Sequence, residues 1–184
     1  MPTKLNSYIL PDKVIQKMRS DIEDTKKIGL EIGFNLCTKD TTEELQDEKR
    51  CVGSSCSLIG WKPGCESKGK QVGIFHTHPM IPKRSKGDSS PSMSDMIGAY
   101  QYGIMCIGGA GDNKIQCSVR KDKDADIKTI RSIRADVEMY EKPLKRKHHI
   151  TTRKGYDVYM AKYRDVQYTR NKLHERLFNI INIQ

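Results

Sequence analysis

The segment GIFHTHPMIPKRSKGDSSPSMSD, residues 73–95, carries His76, His78, Ser92 and Asp95. Side chains at i and i+2 of a strand point to one face, so an extended HTH presents both imidazoles together and turns Thr77 to the other side. Two imidazoles so placed are about as far apart as two ligands of one tetrahedral zinc need to be. Alone, His-x-His reads equally as a satisfied polar strand edge. Asp95 offers a third ligand, although Ser-x-x-Asp ahead of a helical run is also a variant of the capping box. The two roles are compatible, because a helix N-terminus following a strand-end loop aims a first-turn carboxylate at the strand's end. Two His and one Asp leave the fourth position to water, which is the arrangement of a catalytic zinc site and not of a structural one.

Water at such an ion needs a base to take its proton. The candidate is Glu31 in IGLEIGFNLC, where Leu30, Ile32, Phe34 and Leu36 alternate with Glu31, Gly33, Asn35 and Cys37. That alternation predicts a strand over 28–37 with one apolar face and one small or polar face, on which Glu31 has room beside it. Glu23, Glu43, Glu44, Glu48 and Glu66 compete, but each falls in a helical or polar-loop stretch. Glu31 itself reads equally as an exposed acid on an edge strand.

The elements that position these residues follow from periodicity. Val14, Ile15, Met18 and Ile22 at helical spacing behind Pro11 predict a helix from about Pro11 to Lys26. Residues 38–70 read as loop, with a short strand near CSLIGW. KQVGIFHTH, residues 70–78, is a second strand, ended by Pro79. Loop 79–91 is exposed by composition and carries Lys83, Arg84 and Lys86. Ser92 is a helix N-cap with the helix running through MIGAYQY. GIMCIGGA (103–110) and KIQCSVRK (114–121) form a hairpin. Ile127, Ile130, Ile133, Val137 and Tyr140 mark an amphipathic helix. A last helix spans about Asp157 to Ile181, burying Tyr159, Tyr163, Val166, Leu173, Leu177 and Ile180. The order predicts an α+β domain with a mixed, mainly antiparallel sheet flanked by helices, plus an extra C-terminal helix.

With 184 residues, 36% hydrophobic and 30% charged, the chain is long enough to bury a core as one domain. It holds no apolar run of membrane-spanning length, and MPTKLNSYILPDK lacks the features of a secretory signal, so a cytoplasmic protein is expected. Reduced thiols are then the default for Cys37, Cys51, Cys56, Cys65, Cys106 and Cys117. Cys106 and Cys117 would face each other if Gly111–Asp112 turns the hairpin, and bridging them calls for an oxidising compartment or a hyperthermophile's cytoplasm. The net charge is +10, and residues 121–184 hold sixteen Lys or Arg against nine Asp or Glu. KPLKRKHHITTRK, residues 142–154, is acid-free; it reads as a solvated linker or as a contact for nucleic acid or an acidic protein.

Together, Glu31, His76-Thr77-His78 and Ser92-x-x-Asp95 resemble the JAMM signature, E…H-x-H…S-x-x-D, of the MPN-type zinc metalloproteases. LEIGF, VGIFHTHP and SPSMSD resemble its flanking stretches, and the likeness covers about residues 5 to 140. The resemblance implies a layered αβα, cytidine-deaminase-like MPN/JAMM core over residues 1–141; residues 142–184 match nothing in the family and are expected to be a basic linker and C-terminal helix packed on the same domain. It implies His76, His78 and Asp95 as ligands of Zn2+ and Glu31 as the acid/base. Ser92 would donate to the developing oxyanion or position the water. The activity implied is hydrolysis of an amide or isopeptide bond in a protein or peptide, such as one releasing or trimming a ubiquitin-like modifier or a sulphur-carrier protein. A non-catalytic MPN scaffold, or a nucleic-acid-associated protein using residues 142–154, are the alternatives. The thirteen residues between His78 and Ser92 exceed the family's usual spacing.

Overall fold

Asp12 in the first turn and Lys26 and Lys27 in the last oppose the helix dipole of α1, Asp12–Ile28, and Gly29 closes it in a left-handed turn at φ 67°. These observations come from a computed structural model, which describes residues 1–38, 42–53, 64–66, 69–80, 86–122, 124–136, 138–139 and 153–183. Before α1 stands a small hairpin, β1 (Thr3–Leu5) and β2 (Tyr8–Leu10), whose residues Leu5 and Leu10 are buried. The chain continues through β3 (Ile32–Thr38), β4 (Leu45–Val52), β5 (Lys70–His78), α2 (Met93–Tyr102), β6 (Ile104–Gly109), β7 (Ile115–Arg120), α3 (Ile127–Asp136), α4 (Arg153–Leu177) and β8 (Phe178–Ile183).

Strands β3 to β8 form one open sheet in the order β4-β3-β5-β6-β7-β8. Every neighbouring pair is antiparallel except β5 and β6, which run parallel and are joined through α2. One face packs on α1: Val14, Ile15, Met18 and Ile22 meet Phe34, Leu36, Phe75, Ile104 and Val119. The other face packs on the later helices, with Met96, Ala99 and Tyr100 of α2, Ile133 of α3 and Leu173 of α4 against Ile74, Met105 and Ile107. The mixed, mostly antiparallel sheet between helices is the α+β arrangement that the periodicity predicts.

Three expectations need correction. Strand β4 falls in a stretch read as loop; its charged LQDEKRCV is that of an edge strand, half in solvent and paired on one side only. CSLIGW lies outside the described residues, as do Val137 and Tyr140. The last helix stops at Leu177, and Phe178–Ile183 crosses to pair with β7, from Ile115 opposite Ile183 to Arg120 opposite Phe178. The C-terminal segment therefore completes the sheet instead of extending a helix. Val166, Leu173 and Leu177 are buried as expected, whereas Tyr163 and Ile180 are exposed.

The cysteines are also not all reduced. Cys37 bonds to Cys65 and Cys106 to Cys117, while Cys51 is free. Cys106 and Cys117 are direct partners across β6 and β7. The connection between those strands is longer than a two-residue turn, since the Gly109 N–H donates to the Lys114 carbonyl, but both turns share one centre and hence one register. Among the described residues no helix is long and apolar enough to cross a membrane.

His174 of α4 lies buried against the sheet, its Nε2 2.6 Å from Ser118 Oγ. Burial, and secondarily Arg170, push its pKa from 6.5 down to about 4. The unfolded chain therefore takes up a proton that the folded one refuses. The resulting stabilisation is complete above the unfolded value and is lost as pH falls towards the folded one. Between about pH 7 and pH 4.5, the wild type should lose on the order of 2 kcal/mol more than His174→Gln, allowing for partial solvent screening. Urea unfolding at both pH values measures this, and parallel losses in the two proteins would refute it.

Candidate metal centre

Strand β5 ends on His76, Thr77 and His78, with His76 beside Ile107 and His78 beside Gly109 of β6. The Nε2 atoms of the two histidines are 3.1 Å apart. Asp95 reaches both, Oδ1 lying 3.4 Å from His76 Nε2 and Oδ2 3.4 Å from His78 Nε2. One donor atom from each of the three residues falls within 4.8 Å of the others. Two donors on a tetrahedral zinc with bonds near 2.0–2.1 Å lie about 3.3 Å apart. The trio could therefore hold a single metal ion, and its spacings are compatible with those on a tetrahedral zinc.

The surroundings orient these ligands. His78 Nδ1 is 2.9 Å from the Asp88 carbonyl, which can only accept, so Nδ1 carries a hydrogen and Nε2 is the ring atom left to face Asp95 or a cation. Asp88 is held in turn by its loop. The Ser89 N–H and hydroxyl both donate to Asp112 Oδ2, at 3.2 and 2.9 Å, and the Gly111 N–H donates to the Gly87 carbonyl at 2.7 Å. The approach is close enough that a Cβ on Gly109 would stand 2.6 Å from the Ser89 nitrogen. This corrects the reading of loop 79–91 as exposed throughout: Ser89 is 4% exposed, and Gly87 and Pro91 are buried. Lys83 and Arg84 lie outside the described residues.

Asp95 forms the cap that its spacing allows and is also placed where it could serve a metal. Its N–H donates to Ser92 Oγ at 3.2 Å and its Oδ2 accepts the Ser92 N–H at 2.7 Å, a complete capping box at the start of α2. The same carboxylate faces the histidines. Burial acts to raise its pKa, but His76 and His78 outweigh that and hold it well below the usual carboxylate range. For His78, burial acts to lower the pKa, and Asp95, the Asp88 carbonyl and Glu31 together bring it above its ordinary value.

Glu31 lies one residue ahead of β3, not inside it, with its carbonyl accepting the Gly53 N–H at 2.8 Å. Gly33 pairs with His76, so the same antiparallel register places position 31 opposite position 78. Glu31 is 7% exposed, contrary to the edge-strand alternative. Burial raises its pKa, offset in part by His76 and His78 and reinforced by Asp95. Of the competing acids, Glu23 pairs with Lys26 on α1 and Glu48 accepts the Glu66 N–H.

Sequence reasoning passed over Thr77. Its hydroxyl, on the opposite face from the histidines, lies 2.5 Å from Thr25 Oγ1, accepts the Ile32 N–H at 2.9 Å and is 3.3 Å from the Ile32 carbonyl. It ties the histidine strand to α1 and to the residue next to Glu31. A hydroxyl between two ligand candidates, aimed at the apolar side, is the signal that could have found it.

No protein-family model and no curated protein matches the chain. The geometry alone describes the site: three donors that could hold a metal ion, with a buried carboxyl of raised pKa beside them. After equilibration with zinc and desalting, His76→Ala, His78→Ala and Asp95→Ala should each retain almost no metal by elemental analysis. Asp112→Ala, which frees the loop behind His78, should keep the site but weaken it by about tenfold. Unchanged affinity in that variant would remove the loop from the account.

Proposed function

We propose that the chain is a zinc-dependent peptidase or isopeptidase of the JAMM type, hydrolysing an amide bond, with its sheet and helices forming an MPN-like core. The observation that carries this reading is the pairing of a buried Glu31, its pKa raised, with the His76–His78–Asp95 trio on the same sheet face. Zinc held by these three residues would polarise the scissile carbonyl and make a nearby water easier to deprotonate. Glu31, avid for a proton, takes it from that water and returns it to the leaving amine. Ser92 Oγ accepts from the Asp95 N–H, so its own hydroxyl hydrogen is available to donate to the oxygen on which negative charge grows.

The substrate class that fits this chemistry is a protein or peptide amide, with a ubiquitin-like modifier or a sulphur-carrier protein as the group released or trimmed. The scaffold alternative gains nothing from the site, since a surface used only for contact has no need of a raised carboxyl beside three convergent donors. The nucleic-acid alternative rests on residues 142–154, which lie almost entirely outside the described residues.

Glu31→Gln should keep its zinc and lose turnover on the order of a thousandfold. Ser92→Ala should also keep zinc and slow on the order of a hundredfold. The assay is mass spectrometry of products from modifier conjugates and extended peptides, with and without chelator, alongside zinc content. Full turnover by Glu31→Gln, or hydrolysis indifferent to chelator, would overturn the proposal.

A further inference from the structure

A second cluster of metal-ligating side chains lies away from the histidines. Cys37 near the end of β3, Glu48 of β4 and Cys65 of the segment leading into β5 bring two sulfurs and a carboxylate oxygen within 4.8 Å of one another. No pair of them is close in sequence; the sheet assembles them. Asn35 pairs with Glu48 and Cys37 with Gln46, so Cys37 and Glu48 are diagonal neighbours on one face. In the structure Cys37 and Cys65 are joined as a disulfide. We propose that reduction of this bond opens a second divalent-cation site, with Cys37, Cys65 and Glu48 as ligands and a thiophilic ion such as zinc as the occupant.

The cluster does not depend on the crosslink for its shape. The Asn35 side-chain amide donates to the Gly64 carbonyl at 2.6 Å, the Gly64 N–H donates to Gln71 Oε1 at 2.5 Å, and Gln71 Nε2 donates to Asn35 Oδ1 at 3.1 Å. Asn35 is buried. These bonds hold Gly64, and with it Cys65, over the sheet when the sulfurs part. The Glu66 N–H donates to Glu48 Oε2 and keeps that carboxylate turned towards Cys65. Thiolates sharing a tetrahedral zinc with bonds near 2.3 Å lie about 3.8 Å apart. Side chains on α-carbons 6.1 Å apart reach that separation by rotating about their Cα–Cβ bonds.

The chemistry balances with a dithiol as reductant. It supplies two electrons and two protons, leaves as its own disulfide, and Cys37 and Cys65 become thiols. The cation then displaces one proton from each sulfur, and Glu48 adds an oxygen, leaving one position open. The other disulfide has no such use: Cys106 and Cys117 are fully buried in the α1-side core. The Cys37–Cys65 clamp is thus made in either redox surrounding, by a covalent bond or by an ion, and Gly64 and Cys65 stay on the sheet in both.

Cadmium titration of the full chain, once oxidised and once after dithiol treatment and removal of the dithiol, tests the proposal. The histidine centre contributes equally to both samples. The reduced protein should take up one further equivalent by native mass spectrometry and show a thiolate-to-cadmium charge-transfer band that the oxidised protein lacks. Cys65→Ser should abolish the difference, and Glu48→Gln, which leaves the disulfide able to form, should weaken the extra site at least about tenfold. Equal uptake in the two redox states, persistence of the band in Cys65→Ser, or undiminished affinity in Glu48→Gln would overturn it.

Discussion

The antiparallel register of β3 on β5 is the constraint on which the site depends. With Gly33 opposite His76, the side chains of Glu31 and of both histidines share one face, and Phe34 and Phe75 share the other, with ring centroids 4.8 Å apart beneath α1. A slip of one residue would exchange the faces, burying an acid against α1 and setting a leucine or isoleucine beside the imidazoles. The aromatic pair and the Thr77 hydroxyl oppose that slip from the far side of the sheet. Thr77 grips the backbone of Ile32, so the positions of acid and histidines along the two strands are fixed to each other.

The parallel pairing of β5 and β6 supplies the rest. Parallel neighbours need a crossover, and here the crossover helix starts beyond the C-terminal end of β5, where the histidines are. Capping that helix with Ser92 and Asp95 brings a carboxylate to the strand end without an additional segment. The loop between must return from His78 to Ser92, and Asp112 of the β6–β7 connection folds it down so that its Asp88 carbonyl meets His78. One topological feature therefore delivers both the third donor and the hydrogen bond that orients the second.

What the sequence made legible were elements with a face in each layer. The α1 periodicity, the alternation in β3 and β5, and the Ser92 cap depend on residues whose burial their own spacing announces. Strand β4 was hidden because an edge strand is written in charged residues, as a loop is. Strand β8 was hidden because Leu177 and Phe178 join helix to strand with no Gly or Pro between them, and its pairing is set by the exposed edge of β7 rather than by local propensity. At the site, His76, His78 and Asp95 were legible from spacing within one segment. Glu31 needed the register to bring it across; Thr77's place between the histidines hinted at it, while its partners Thr25 and Ile32, and those of Asp112, are set by contacts that no spacing encodes. The Cys37–Glu48–Cys65 cluster was equally out of reach, since 28 residues separate its two cysteines and only the pairing of β3 with β4 brings Glu48 beside Cys37.

Two carboxylates share the same pair of imidazoles, yet the structure pushes them in opposite directions. Asp95 has the histidines within 3.4 Å and a backbone N–H on Oδ2, and these overcome its burial and hold it ionised. Glu31 feels the same histidines more weakly than it feels its own burial, and the negative charge of Asp95 adds to the rise. In the proposed reaction, ionisation suits Asp95 as a donor to a cation, and a raised pKa suits Glu31 as a group that picks up a proton and gives it back. The difference comes from placement: a first-turn helix position whose carboxylate takes the Ser92 N–H and faces both imidazoles at 3.4 Å, against a buried position one residue ahead of β3. Two acids of similar intrinsic strength are thereby pushed apart, and the proposed assignment of ligand and base rests on these environments and not on the residue types.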